Sequence, residues 1–173
     1  MKIIEIKVYA FDELSDDAKA RARAWYQDGA LDYNWWESTY EDAKMIGLQL
    51  KSFDLDRNRH ATGEFTDDAC HCADLIIKNH GVDCETYKTA EAFLKARDEI
   101  VDTAPKDADS EFENQGELDD KLDNCESEFL KSVIEDYSII LQEEMEWLLS
   151  DEQVDESIRA NEYTFTETGK RFD

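Results

Sequence analysis

The feature that most constrains this chain is a run of apolar residues that recurs every three or four positions from residue 117 to residue 149. This spacing matches the turn of an α-helix and predicts one long helix over 117–149. The predicted apolar face contains Leu118, Leu122, Cys125, Phe129, Val133, Tyr137, Ile140, Leu141, Met145 and Leu148. A helix with one apolar side is stable only when that side packs against other elements, so we expect a core around it.

The opposite side of this predicted helix is acidic. Its carboxylates belong to Glu117, Asp120, Glu128, Glu135, Glu143 and Glu146. Two further acids, Asp151 and Glu152, follow directly. Because carboxylates attract lysine and arginine side chains, we predict that these eight residues bind a partner.

The charge of the whole chain points to the same kind of partner. The 44 Asp and Glu residues outnumber the 19 Lys and Arg residues, and the net charge is −25. Residues 101–161 alone hold twenty acids and four bases. Such a molecule repels DNA, RNA and anionic membranes, so we predict no direct nucleic-acid or membrane binding. A protein with a basic surface is the expected partner, and the sequence leaves homodimer formation open.

The remaining patterns predict further elements of both kinds. Alternating apolar residues predict strands at 2–9 and 48–55, the second with one register irregularity and with a hairpin partner at "TGEFT". A final strand is predicted in "EYTFTETGKRF". A helix is predicted at 15–29 with Ser15 as its N-cap, and further helices at 33–46, 67–80 and 87–103, with a short one through Arg159. We therefore predict an α+β fold that is mostly helical. A small, mostly antiparallel sheet of about four strands would pack against several helices, including the long acidic one.

The domain organisation is predicted to be simple. A chain of 173 residues is long enough to form one compact domain without disulfides, so we predict a single domain over 1–173. The stretch "PKDADSEFENQGELDD" is acidic and nearly free of apolar residues, which predicts a mobile loop near 105–116.

The aromatic cluster in "DYNWWESTYEDA" has helical spacing. Tyr33, Trp36 and Tyr40 recur at i, i+3 and i+7, which predicts that Trp36 belongs to the core. Trp35 is predicted on the flank of that face, where it would contact a partner. A stacking platform for nucleic acid is excluded because acids, rather than the required cations, surround the rings.

Two groups of residues could bind a metal. Cys70, Cys72, His80 and Cys84 are numerous enough for zinc, but their spacing does not match a zinc motif, so buried cysteines are the favoured interpretation. Asp54 and Asp56 lie on one side of a predicted strand or turn, as in some magnesium sites. No familiar catalytic motif is present, so we predict no cofactor and no enzymatic activity. A metal-dependent enzyme that uses Asp54 and Asp56 stays an alternative.

The expected location is the cytoplasm. The chain contains no apolar run of about 18 residues, and its N-terminus reads as a strand rather than a signal peptide. The four cysteines are expected to be reduced thiols.

Several segments resemble a family of small acidic proteins that bacteriophages and prophages encode. These segments are "FDELSDDAKARARAWY", "DYNWWESTYEDAKMIGLQLKSFDLDR", "NHGVDCETYKTAEAFL" and "ANEYTFTETGKRF". Members of that family are often described as antitoxins of toxin–antitoxin stability systems. The resemblance implies a phage accessory protein that acts in the bacterial cytoplasm.

Together, the resemblance and the charge lead to a functional hypothesis. We expect a non-enzymatic, anti-CRISPR or antirestriction protein that occupies a basic nucleic-acid channel of a host defence complex, as a DNA mimic would. An antitoxin that neutralises a basic toxin is the alternative of a different class. A further alternative is that the acidic surface only keeps a protein of unrelated function soluble.

Overall fold

The structure is a computed structural model that describes residues 5–106 and 112–172. Within these ranges the chain forms six α-helices and four strands. The helices are α1 (Asp16–Gln27), α2 (Glu37–Met45), α3 (Ala69–Asn79), α4 (Glu85–Thr103), α5 (Gln115–Leu148) and α6 (Asp151–Ala160). The strands are β1 (Tyr9–Ala10), β2 (Leu48–Asp54), β3 (His60–Phe65) and β4 (Thr164–Phe165). The predicted α+β class with a mostly helical content is confirmed.

The predicted sheet of about four strands is wrong in its arrangement. The described strands form two separate antiparallel pairs, β1 with β4 and β2 with β3. The predicted strand at 2–9 reduces to the two residues of β1 in the described range, and residues 2–4 lie outside it. The reason is that β4 offers only Thr164 and Phe165 for pairing. Ile6 and Val8 are therefore left exposed, at 59% and 43% of their surface.

The chain divides into two compact units, which we describe separately. Unit 1 consists of Met1–Trp35 and Glu143–Asp173, and unit 2 of Trp36–Gln142. The single domain over 1–173 stays a prediction, because this division does not tell whether either unit folds alone.

Unit 1 is built around the packing of α1 against α6. Its buried cluster consists of Phe11, Leu14, Ala18, Ala22, Val154, Ile158 and Phe165. Each of the two helices begins at a serine: the Ser15 side chain accepts a hydrogen bond from the Ala18 amide, and that of Ser150 from the Gln153 amide. Ser15 is the N-cap that the sequence predicts.

A tight turn closes unit 1 after β4. Gly169 has a positive φ of 80°, and a Cβ at this position would lie 2.1 Å from the carbonyl oxygen of Ala18. Only glycine therefore allows this turn to approach the backbone of α1.

Unit 2 packs α2, α3, α4 and the β2–β3 hairpin around the first part of α5. Its buried cluster includes Ile46, Leu48, Ile76, Phe93, Phe129, Val133 and Tyr137. The rings of Phe93 and Phe129 stack with their centroids 4.2 Å apart. The hairpin has the single register irregularity that the sequence predicts, between Leu50 and Ser52.

The long helix is confirmed. It begins two residues earlier than predicted, at Gln115, and ends one residue earlier, at Leu148. It begins before Glu117 because Asn114 caps it, with the Asn114 side-chain oxygen accepting a hydrogen bond from the Glu117 amide. Gln115 and Gly116 are therefore helical, and the predicted loop at 105–116 is too long at this end. Residues 107–111 of that loop lie outside the described residues.

The predicted burial of the two adjacent tryptophans is reversed. Trp35 is buried, with 7% of its surface exposed, whereas Trp36 is only partly buried and packs edge-on against Phe53. Tyr33 is 56% exposed. The helical spacing fails because α2 begins only at Glu37, so Tyr33 and Trp36 do not share a helix face.

Candidate partner-binding acidic surface

The first two turns of α5 present the densest group of carboxylates on this helix. Glu117, Asp119, Asp120 and Asp123 are all exposed, and we call them the α5 acidic cluster. At 1.5 Å and 100° per residue, they span about 9 Å along the axis and about 160° around it. Leu118 points to the other side and is buried. The amphipathic pattern thus fixes which side of the helix carries the charge.

Two ion pairs form between exposed residues of this helix itself. The Lys121 ammonium donates to Glu117 at 2.7 Å, and that of Lys131 to Glu128 at 2.6 Å. The hydrogen bond from Lys121 lowers the pKa of Glu117. Asp120 has no ion pair with any residue in the described ranges. Because exposed pairs on one helix contribute only about 0.3–0.5 kcal/mol, a partner's cations could replace these lysines.

Glu135 is held differently from the other predicted acids. The Arg59 guanidinium, from the connection between β2 and β3, donates to its carboxylate and also to Gln142. The Ser138 hydroxyl, 3.3 Å away, donates to the second oxygen of the same carboxylate. Glu135 is exposed as predicted, but much of its charge is already balanced within unit 2.

The predicted acids of unit 1 are all exposed. They are Glu143, Glu146, Asp151 and Glu152. Asp151 lies 3.4 Å from the Arg23 guanidinium. Across residues 5–106 and 112–172, Glu143 and Glu152 form no ion pair. Trp35, the ninth predicted partner residue, is buried, so its predicted exposed position is wrong.

A polar network that the sequence did not reveal crosses the core of unit 2. The fully buried Tyr137 donates its hydroxyl to Asp42 at 2.7 Å, and burial raises the pKa of Tyr137. His80 lies with its Nε2 3.6 Å from the same carboxylate and its Nδ1 2.7 Å from the Thr86 hydroxyl. Thr86 is only 3% exposed, whereas the Asp42 side chain is 42% exposed, so the network extends from the core of unit 2 to its surface.

The two groups of residues that could bind a metal according to the sequence are not arranged as metal sites in the described structure. No three or more His, Cys, Asp or Glu side chains are grouped to hold a metal ion within the part of the chain that the structure describes. Cys72 is buried, its thiol lies 3.5 Å from the Gly47 carbonyl, and burial raises its pKa to about 11. Cys84, in contrast, is exposed. The Asp54 carboxylate accepts a hydrogen bond from the Asp56 amide at 2.9 Å, as in a turn.

None of the helices in the described ranges has an apolar stretch that could cross a bilayer. Comparison with known proteins finds no matching family model, no matching curated protein and no matching solved structure.

Proposed function

We propose that this protein is a phage-encoded, non-enzymatic inhibitor of a host defence complex of the CRISPR or restriction type. In this proposal, the exposed carboxylates of α5 and the start of α6 occupy the basic surface that otherwise binds nucleic acid. The inhibitor blocks that surface without chemical change, so it acts in stoichiometric amounts.

The observation that carries the proposal is the charge density of the α5 acidic cluster. Four carboxylates over about 9 Å of helix average roughly one per 3 Å. The phosphates of one DNA strand follow each other at about 3.4 Å along the axis. The cluster therefore offers lysines and arginines a number of carboxylates per length of axis close to the number of phosphates in one DNA strand.

The wider set of acids extends this surface less evenly. Glu128 has only an exposed lysine as its ion-pair partner, whereas Glu135 is bound by Arg59. A cation of the target would have to compete with Arg59 at that point. We therefore assign the strongest contribution within α5 to the first two turns rather than to its middle.

The salt dependence of binding tests this proposal. The tagged protein is incubated with a bacterial host lysate at low and at high salt, and the captured proteins are identified by mass spectrometry. We expect to capture a nucleic-acid-binding nuclease complex that is released as the salt concentration rises. The reason is that salt screens the attraction between the carboxylates of this protein and the cations of the complex. Capture of a small basic toxin would favour the antitoxin alternative and contradict the proposal. Binding of the same target that does not change with salt would also contradict it.

A further inference from the structure

Unit 1 contains a cavity of about 490 Å³ whose walls are mainly aromatic. Four rings line it, those of Trp25, Tyr26, Tyr33 and Tyr163, together with the carboxylate-bearing Asp28. We call it the aromatic cavity. Its volume lies within the range of small-ligand sites, and it is therefore large enough for a long side chain of another protein.

Three of these rings are held in place by contacts with one another. The ring centroids of Trp25 and Tyr163 are 5.2 Å apart and perpendicular, and Trp25 contacts Tyr26 at 6.1 Å. Tyr163 also lies 6.4 Å from Tyr26. The fourth ring, Tyr33, is 56% exposed and gives the cavity an accessible wall. The cavity thus combines a fixed aromatic interior with an open side.

Carboxylates lie in and beside the lining of the aromatic cavity. Asp28 lines it, and the Asp32 carboxylate lies 3.6 Å from the position that a Cβ on Gly29 would take. No lysine or arginine is among its described lining residues. Aromatic faces carry a negative partial charge, so rings and carboxylates together attract a cation.

Two of these rings already contact a cation of the protein itself. The guanidinium carbon of Arg171 lies 4.9 Å from the Trp25 centroid and 4.7 Å from that of Tyr163. Arg171 lines a neighbouring cavity and is not among the residues that line the aromatic cavity. A guanidinium is planar and weakly hydrated, so it stacks on rings better than an ammonium does.

We propose that the aromatic cavity binds the guanidinium group of an arginine on the basic surface of the partner. This inference rests on the proposed function, because it assumes a partner that is rich in cations. The acidic surface would attract the partner over a long range, and the cavity would hold one arginine at short range.

Binding of a small arginine probe tests the cavity without the partner. N-acetyl-arginine methylamide is titrated into the whole protein, and binding is followed by NMR of the tryptophan and tyrosine ring signals. We expect saturable shifts of Trp25 and Tyr163, and much weaker binding of the uncharged citrulline analogue. Absence of saturable shifts, or equal binding of citrulline or of the lysine analogue, would overturn the proposal.

Two variants and a matched control locate the probe. Tyr33→Ala and Asp28→Asn remove an exposed ring and a carboxylate, and each is expected to weaken probe binding about two- to fivefold. Trp147→Ala removes an equally exposed ring of unit 1 that does not line the cavity, and should leave binding unchanged. Circular dichroism checks that each variant is folded.

If Trp147→Ala weakened probe binding and the two cavity variants did not, the probe would bind outside the aromatic cavity, and the proposal would be overturned. Because no target is present, failure of this titration leaves the proposed function standing. Failure of salt-dependent capture, in turn, leaves the result of the titration intact.

Discussion

The two units use their charged residues in different ways. Unit 1 has 17 acids and 8 bases, and three of its four arginines lie against aromatic rings: Arg23 and Arg159 over Phe11, and Arg171 over Trp25. Arg23 and Arg159 also pair with the carboxylates of Asp155 and Asp12. In unit 1, charged side chains are therefore part of the packing.

Unit 2 has 27 acids and 11 bases, and most of its ion pairs lie at its surface. Five of these pairs join neighbours on one helix or one hairpin: Lys44 with Glu41, Lys51 with Glu64, Lys88 with Glu85, Lys121 with Glu117, and Lys131 with Glu128. Its core is aliphatic and aromatic, and Cys70 and Cys125 pack against it. All four cysteines of the chain belong to this unit. The exposed acids of unit 2 that pair with a neighbouring lysine can therefore change partners at little cost in stability, whereas Asp155 of unit 1, which Arg23 binds, cannot.

Removal of a buried ring from the core of either unit should have the largest effect on stability. Phe129→Ala in unit 2 and Phe165→Ala in unit 1 each remove a buried ring, and each should lower the free energy of unfolding by about 3–5 kcal/mol. Chemical denaturation measures this loss.

Cysteine alkylation then reports which unit has opened, because unit 1 contains no cysteine. Phe129→Ala should speed the labelling of the buried Cys72 thiol, and Phe165→Ala should change it much less. Equal acceleration by both substitutions would mean that the units open together and would break the comparison.

Loss of an arginine pair is the next largest expected effect. Arg23 binds Asp155 through two hydrogen bonds, of 2.6 and 2.8 Å, and both side chains are largely buried. Arg23→Gln should therefore lower the free energy of unfolding by about 1–2 kcal/mol. Lys131→Gln in unit 2 removes an exposed pair and should cost less than about 0.5 kcal/mol. Similar losses at the two positions would contradict the distinction between the units.

The smallest effect concerns Asp136 in unit 2 and depends on pH. Burial, chiefly, raises the pKa of this carboxyl, although the Thr89 hydroxyl donates to it. The native state therefore binds the proton more tightly than the unfolded state, so Asp136 costs stability once the pH rises above its unfolded pKa of about 3.9.

Asp136→Asn should thus raise the free energy of unfolding slightly at pH 7, and this gain should disappear below the unfolded pKa of about 3.9. Denaturant titrations of both proteins at pH 7 and pH 3 measure the difference. A gain that is equally large at both values would assign it to packing instead of charge.

The parts of the fold that repeat locally could be predicted from the sequence. The apolar period of α5 extends over nine turns, and Ser15 marks the start of α1, so both helices are identified from neighbours in the chain. The bulge in the hairpin was visible because Leu50 and Phe53 break the alternation. Each of these signals needs only residues that are close in sequence.

What could not be predicted depends on residues far apart in the chain. β1 is short because its partner β4 is short, and no pattern near Tyr9 shows that. Trp35 and Trp36 were assigned in the wrong order because the true start of α2 lies after them. Arg59 reaches Glu135 across 76 positions, so the partial neutralisation of this acid appears only in the folded chain. The exposure of the six acids predicted on the long helix, in contrast, followed from its periodicity.

Displacement of DNA from a captured target is the most direct test of whether the acidic surface occupies the site that binds nucleic acid. Fluorescence anisotropy of labelled DNA on the purified target is measured while this protein is added. Three forms are compared: the unchanged chain, an α5 variant with Glu117, Asp120 and Asp123 changed to Lys, and an α4 variant with Glu91, Asp98 and Glu99 changed to Lys. Both variants move the net charge from −25 to −19 at exposed positions of unit 2.

We predict that the unchanged chain and the α4 variant displace the DNA, and that the α5 variant loses most of this ability while circular dichroism shows it folded. Equal displacement by the two variants would reduce the role of the α5 acidic cluster to bulk charge. Failure of the unchanged chain to displace DNA from a target that it binds would contradict the proposed function.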